Sequence, residues 1–323
     1  MAGPQTKKEA VGRKPGDPEP KFTTLLPDDL NIDFVGKRKF FLILSTVLNA
    51  LAIVLFFTWG FNYGVDFSGG TSIRIRFDVP TSVSKVRDDL GTLDLRDLTV
   101  QDFGDQGKEF LLRFEIAEGE QMSSISETLT KLFKDTHPEG GFQILSVESV
   151  GPRVAADLWW KGFSAVAFAT LFMGAYIAFR FERSFGIGAV IALVHDVLIS
   201  VGALILAQLS FDLTTLAALL TVVGFSVHDT IIVSDRIRET LRRNPRRDLP
   251  SVINQSINET LSRTLLTTGT ALLVLVALYF LGGSGLEPFA FTMIIGLITG
   301  TYSTIYIATP IVLFWADRSK LAG

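Results

Sequence analysis

Charged side chains thin out in six stretches of the chain: 40–60, 162–179, 186–207, 213–234, 261–281 and 289–314. Within them only Asp196, Asp229 and Arg263 carry a charge. The stretches run from 18 to 26 residues. At ~1.5 Å per helical residue each can span a hydrocarbon core ~30 Å thick. The pattern predicts six transmembrane helices and excludes a wholly water-soluble protein. The first stretch reads as an uncleaved signal anchor. It is longer than a signal-peptide core, no small-x-small site follows it, and Lys37, Arg38 and Lys39 hold its N-terminal end.

Between the first two stretches the period changes. Thr71–Phe77 alternates as a strand, and Ser82–Leu90 reads as a short helix. Leu98–Phe103 and Glu109–Ile116 form a hairpin pattern around Gly104–Gly107. Gln121–Phe133 sets Met122, Ile125, Leu129 and Leu132 at helical spacing, and Phe142–Val150 is a last strand. The order βαββαβ predicts one α+β ferredoxin-like domain over 61–155. The fold class is thus a polytopic α-helical membrane protein of six transmembrane helices with this domain inserted between helices one and two. No internal repeat is visible.

The remaining segments set the sidedness. Residues 1–39 form an N-terminal tail whose first 20 residues hold four of the twelve prolines and no aromatic, the pattern of a disordered segment. Leu30, Ile32, Phe34 and Val35 suggest a short interfacial helix. Helices two to six occupy 156–316, with a basic loop at 235–260 and a tail at 317–323. Segments 1–39, 180–185, 235–260 and 315–323 carry 8, 2, 6 and 2 basic residues, whereas loops 208–212 and 282–288 carry none. Both termini are therefore expected in the cytoplasm and the domain outside. That domain, over 61–150, holds 16 acidic against 9 basic residues.

The absence of cysteine excludes thiol catalysis and disulfides. With three histidines, His137, His195 and His228, no metal site is expected, and a net charge of −3 argues against nucleic acid as a partner. Ser226 and His228 share a helix, but at two residues apart they project about 200° from each other and make no nucleophile–base pair. No catalytic residue is assigned.

Chemistry is expected at the three membrane charges, because a charge at the bilayer centre costs ~2.5–3.5 kcal/mol on insertion scales. Asp229 and Arg263 fall at similar depth on consecutive helices. Asp196 lies about 8 Å further out at ~1.5 Å per residue. A carboxyl in a poorly hydrated site keeps or releases its proton according to how near a cation stands. Asp229, gated by Arg263, with Asp196 and His195 as relay, is the candidate proton-coupling set. Gly296 and Gly300 form a G-x-x-x-G suited to close helix packing. Pro310 would free a carbonyl one turn back and permit a bend. Asp66, Gly69 and Gly70 lie in a tight turn, GVDFSGGT, at the entrance to the domain.

This ordered set resembles the SecD/SecF family of bacterial protein-export membrane proteins, on the SecF side, over roughly residues 30–316. The motifs are GVDFSGGT, Val150-Gly151-Pro152-Arg153, Ala192–Asp196, Gly224–Glu239 and Asn258–Gly269. It departs at His228, where many relatives carry Asn. The resemblance implies membership of the resistance-nodulation-division superfamily and residence in the bacterial inner membrane. It also implies use of the proton-motive force, with no cofactor, to assist translocation. The implied partners are SecD, the Sec translocon channel, the unfolded secretory polypeptide on the outer side, and the lipid bilayer. The family's charged pair falls on Asp229 and Arg263. An alternative is a stand-alone proton-coupled small-molecule efflux transporter of the same superfamily. With only one six-helix repeat, the chain is expected to need a second one beside it.

Overall fold

Each charge-poor stretch lies within a long helix. In chain order α1 is Arg38–Thr58, followed by the two-residue strand β1 (Asn62–Tyr63) and the single turn α2 (Val65–Ser68). The domain comprises β2 (Gly70–Phe77), α3 (Val83–Leu90), β3 (Arg96–Asp102), β4 (Glu109–Glu115), α4 (Met122–Thr136) and β5 (Phe142–Val150). Then come α5 (Pro152–Arg180), α6 (Arg183–Leu206), β6 (Ser210–Phe211), α7 (Leu213–Arg243) and α8 (Leu249–Leu281). The last span is α9 (Glu287–Ser303), a π-helical turn at Thr304–Ala308, and α10 (Thr309–Trp315). This computed structural model describes residues 31–315 apart from 94, 103–106, 116–121, 138–139 and 284. The expected disordered tail, the C-terminal tail at 317–323, Leu30, and the tip of the 104–107 hairpin before Gly107 lie outside the described residues.

Helix starts follow local chemistry. Ser82 caps α3 by accepting from Lys85 N at 3.2 Å. Asp212 caps α7 and Asp248 caps α8, accepting from Thr215 N and Ser251 N at 2.9 and 3.0 Å. Pro152 and Pro250 sit in the first turns of α5 and α8, where the missing N–H is harmless.

The sheet order is β3-β4-β2-β5, with every adjacent pair antiparallel. One face turns Ile73, Ile75, Phe110 and Leu112 onto α3 and α4, where Val86, Leu90, Leu129 and Phe133 close a dry core. In the membrane part α6, α7 and α9 are the most buried spans, and α1, α5 and α8 stand around them.

Two expectations are corrected, and the turn at the domain entrance gains detail. The basic loop at 235–260 is mostly helix: α7 continues to Arg243 and α8 begins at Leu249. Charge depletion marks where lipid ends, but apolar residues at helical spacing continue beyond it, with Ile237, Leu241, Val252, Ile253 and Ile257 packed together. Residues 32–35 form no helix. They run as irregular chain into a turn, with Phe34 and Val35 buried in that same cluster. The GVDFSGGT turn contains the one-turn helix α2 before Gly69 and Gly70, whose φ values are 76° and 96°. At Pro310 the ladder loses an N–H, and the helix widens into the π turn immediately before it.

Candidate functional site

Asp196 occupies the centre of the α6–α7–α9 contact and has no exposed surface. Ser226 Oγ of α7 donates to its Oδ2 at 2.6 Å, and Ser303 Oγ of α9 donates to the same atom at 2.8 Å. His195 Nδ1 lies 3.0 Å from Oδ1. When Asp196 is ionised, Nδ1 must carry the hydrogen, and in the neutral ring Nε2 is then the acceptor. That Nε2 is buried and has no hydrogen-bond partner among the described residues. The imidazole stacks on Tyr302 at 5.9 Å. Tyr302 in turn donates to Phe41 O at 2.8 Å and lies 2.7 Å from Ser45 Oγ, both on α1.

Two glycines bring these groups within reach. A Cβ on Gly296 would lie 2.1 Å from Val222 Cγ2, and one on Gly300 would lie 3.1 Å from Ser226 Cβ. Without side chains there, α9 approaches α7 closely enough for Ser303 to reach Asp196 and for Thr304 Oγ1 to sit 3.0 Å from Thr230 Oγ1.

Asp229 is one turn further along α7 than Ser226 and is 3% exposed. Its carboxyl lies beside His228 and within hydrogen-bonding reach of Thr301 on α9. Thr301 Oγ1 is 3.1 Å from Thr268 Oγ1 on α8. The two carboxyls therefore have separate hydroxyl partners, with α9 serving both: Ser226 of α7 and Ser303 of α9 meet Asp196, and Thr301 of α9 meets Asp229.

Arg263 on α8 is exposed and lines an open cavity of about 480 Å³ with Tyr176, Arg180, Asp235, Arg236 and Glu239. Among the described residues no ion pair joins it to Asp229. Depth alone puts the two at one level. The hydroxyl contact draws Asp229 toward α9, whereas Arg263 lies at the mouth between α5, α7 and α8. Below them Arg236 bonds Glu259 at 2.5 Å and Glu239 at 2.6 Å, tying α7 to α8.

The turn at the domain entrance does more than reverse the chain. Asp66 Oδ2 accepts from Leu213 N, the first residue of α7, at 2.9 Å, rather than from amides of its own turn. A Cβ on Gly69 would come within 3.3 Å of Pro152 Cα at the start of α5, and one on Gly70 within 3.1 Å of Phe114 O. β1 pairs in parallel with β6 in the α6–α7 connection. Arg113 of β4 donates to Asn62 Oδ1 and Tyr63 O, each at 2.9 Å. Burial pulls its guanidinium below the ordinary value, against the nearby Asp212 carboxylate. The domain is thereby fastened to the N-terminal ends of both α5 and α7.

Along the sequence Ser226 stands only as a failed nucleophile and Ser303 has no assigned role. A signal for both is nonetheless present: each is a hydroxyl within a turn of another marked residue, Ser226 before Asp229 and Ser303 after Gly300. Arg113 has no such signal, since its partners are backbone and side chain 50 residues away.

Residues 128–318 match the family model for protein export membrane protein SecD/SecF, C-terminal, and residues 54–81 match that for the SecD/SecF GG motif. The chain is 42% identical over 294 residues to the protein translocase subunit SecF of Calditerrivibrio nitroreducens, covering 90% of this chain and 96% of that one. To the SecF of Magnetococcus marinus it is 44% identical over 297 residues, covering 91% and 95%. Among solved structures, the translocon-associated membrane protein SecDF of Thermus superposes with a TM-score of 0.81 at 35% identity over 90% of this chain. SecDF in a super-membrane-facing form gives 0.61 at 34% identity. This chain spans 39% and 40% of those two longer SecDF chains.

Proposed function

The chain belongs to the SecD/SecF family of protein-export membrane proteins, and we propose that it acts as the SecF half of a SecD–SecF complex driven by protons. In this reading it lies in the bacterial inner membrane with both termini in the cytoplasm. The domain faces the outside and works on the secretory polypeptide leaving the Sec channel. The strand order β3-β4-β2-β5 supports taking that domain as ferredoxin-like.

Asp229 is the proton carrier. The observation that carries this reading is its setting. A carboxyl nearly closed off from solvent meets the Thr301 hydroxyl of α9, itself bonded to Thr268 of α8, and the span cation nearest in depth, Arg263, stands apart from it on α8. An unpaired buried carboxylate is costly, so the site favours the protonated carboxyl while Arg263 is distant. A movement of α8 that brings Arg263 close would favour release of the proton. SecD supplies the second six-helix repeat and covers the exposed face of α8. Asp196 and His195 form the inward relay or the fixed anchor against which α7 moves. The bond from Asp66 to the start of α7 supports passage of that movement to the domain.

The test is proton-driven export in inverted membrane vesicles carrying the full complex. Asp229→Asn removes the titrating proton but keeps shape, and is expected to block the driven component while SecD still co-purifies. An Asp229→Asn complex that exports normally under the same gradient sinks the mechanism.

A further inference from the structure

The motif Asn258–Gly269 belongs to the family resemblance, yet the proton site uses only its Arg263 and Thr268. Asn254 and Asn258 stand one turn apart on one face of α8. Both amides are turned onto the backbone of the segment that precedes α1. Ile32 N donates to Asn258 Oδ1 at 2.9 Å, and Asn258 Nδ2 donates back to Ile32 O at 2.9 Å. Asn254 Nδ2 donates to the same carbonyl at 3.0 Å. Phe34 N and Val35 N donate to Asn254 Oδ1 at 2.8 and 3.3 Å. Five bonds thus satisfy main-chain groups that have no helix or strand of their own.

This short segment bridges parts of the bundle that otherwise scarcely meet. Phe34 and Val35 sink into the cytoplasmic cluster with Ile237, Val252 and Ile257. Phe34 meets the ring of Tyr306 edge-on at 6.0 Å. Arg38 then closes the turn by donating to Val35 O at 2.8 Å and starts α1. Upstream the amides hold α8, the helix of Arg263, which follows Asn258 by five residues or ~7.5 Å of rise. Downstream α1 packs against α6, where a Cβ on Gly202 would meet Ala52 Cβ at 2.6 Å, and leads straight into the domain.

We infer that Asn254 and Asn258 are positioning residues: they clamp the backbone of Ile32–Val35 and so tie α8 to α1. A displacement of α8 at Arg263 is then passed along the cytoplasmic end to the helix that enters the domain. Because the amides read main-chain groups, the clamp sets the register of the segment whatever side chains it carries. The inference rests on the proton-driven reading for its use, but not for its geometry.

The absence of native cysteine allows clean labelling. Spin labels at Asp33→Cys and Gln255→Cys in the full SecD-bound complex should give one narrow distance distribution. In Asn254→Ala/Asn258→Ala the distribution should broaden at least twofold. Proton-driven export should fall about fivefold or more, with SecD co-purification unchanged. Asn258→Gln, which keeps the amide, should recover part of both. A distribution that stays narrow overturns the clamp. Wild-type export alongside a broadened distribution overturns its coupling role. Should the double variant fail to assemble, Asn258→Ala alone carries the same expectations at smaller amplitude. The label distance does not depend on protons, so a normally exporting Asp229→Asn would strike the proton mechanism and leave the clamp standing.

Discussion

Asp196 and Asp229 look alike along the chain, since each is an aspartate in an apolar run preceded directly by histidine. In space they differ. Asp196 is wholly buried, and its side chain has three partners, from α6, α7 and α9. Asp229 meets one hydroxyl, that of Thr301 on α9, with a histidine beside it that is exposed where His195 is buried. A carboxyl bonded on both oxygens is held by its surroundings in one arrangement. A carboxyl with one hydroxyl partner is held less firmly. In the function proposed above, Asp196 holds helices together and Asp229 serves the moving step.

The sharpest way to break this comparison is to remove each carboxyl in turn. Asp196→Ala leaves the His195 ring and the Ser226 hydroxyl without their partner in the interior, cuts the tie from Ser303, and is expected to cost about 3–5 kcal/mol. Unfolding in detergent micelles measures it; a near-neutral result would remove Asp196 from its anchoring role. Asp229→Asn should instead cost under about 1 kcal/mol of stability, because the amide still meets Thr301. Driven export should nonetheless fall at least about tenfold, which is roughly 1.4 kcal/mol on the driven step. Equal stability losses at the two positions would erase the distinction.

The comparison also depends on how closely α9 approaches α7. Gly296→Val forces a side chain onto Val222 and should cost about 1–3 kcal/mol, lowering the unfolding temperature and the driven export together. The smallest effect lies outside the membrane. Hydrogen bonds from the Ser251 side chain and N–H hold the Asp248 carboxyl below its ordinary pKa. A depressed folded-state pKa adds stability above the unfolded value and loses it as pH falls through the folded one. Asp248→Ala should therefore be slightly less stable than the parent at neutral pH, and the two unfolding curves should converge below about pH 4. A difference that does not shrink at all as pH falls below about 4 would place the effect in helix propensity rather than in the charged cap.

Much of the architecture is legible in the pattern of charged and apolar residues. Six charge-poor runs correspond to six long helices, and Phe142–Val150 agrees with its strand at both ends. The departures share one cause. The return of charge at 235–260 predicts a loop, but a helix can leave the membrane and continue while its apolar stripe has a partner, as Ile237 and Ile257 do. Likewise Ile32, Phe34 and Val35 suggest an amphipathic helix because their burial is legible and their partners are not. The amides of Asn254 and Asn258 lie more than 200 positions away.

By itself the sequence determined the number of spans, the order of elements in the inserted domain, and which three charges are in the membrane. These follow from transfer costs and local periodicity, which act residue by residue. Only the tertiary structure decided which aspartate is enclosed, that Arg263 stands apart from Asp229, and that Asp66 reaches α7. Those outcomes depend on which helices meet and at what rotation, and a hydrogen bond of about 3 Å is set by that meeting, not by position in the chain.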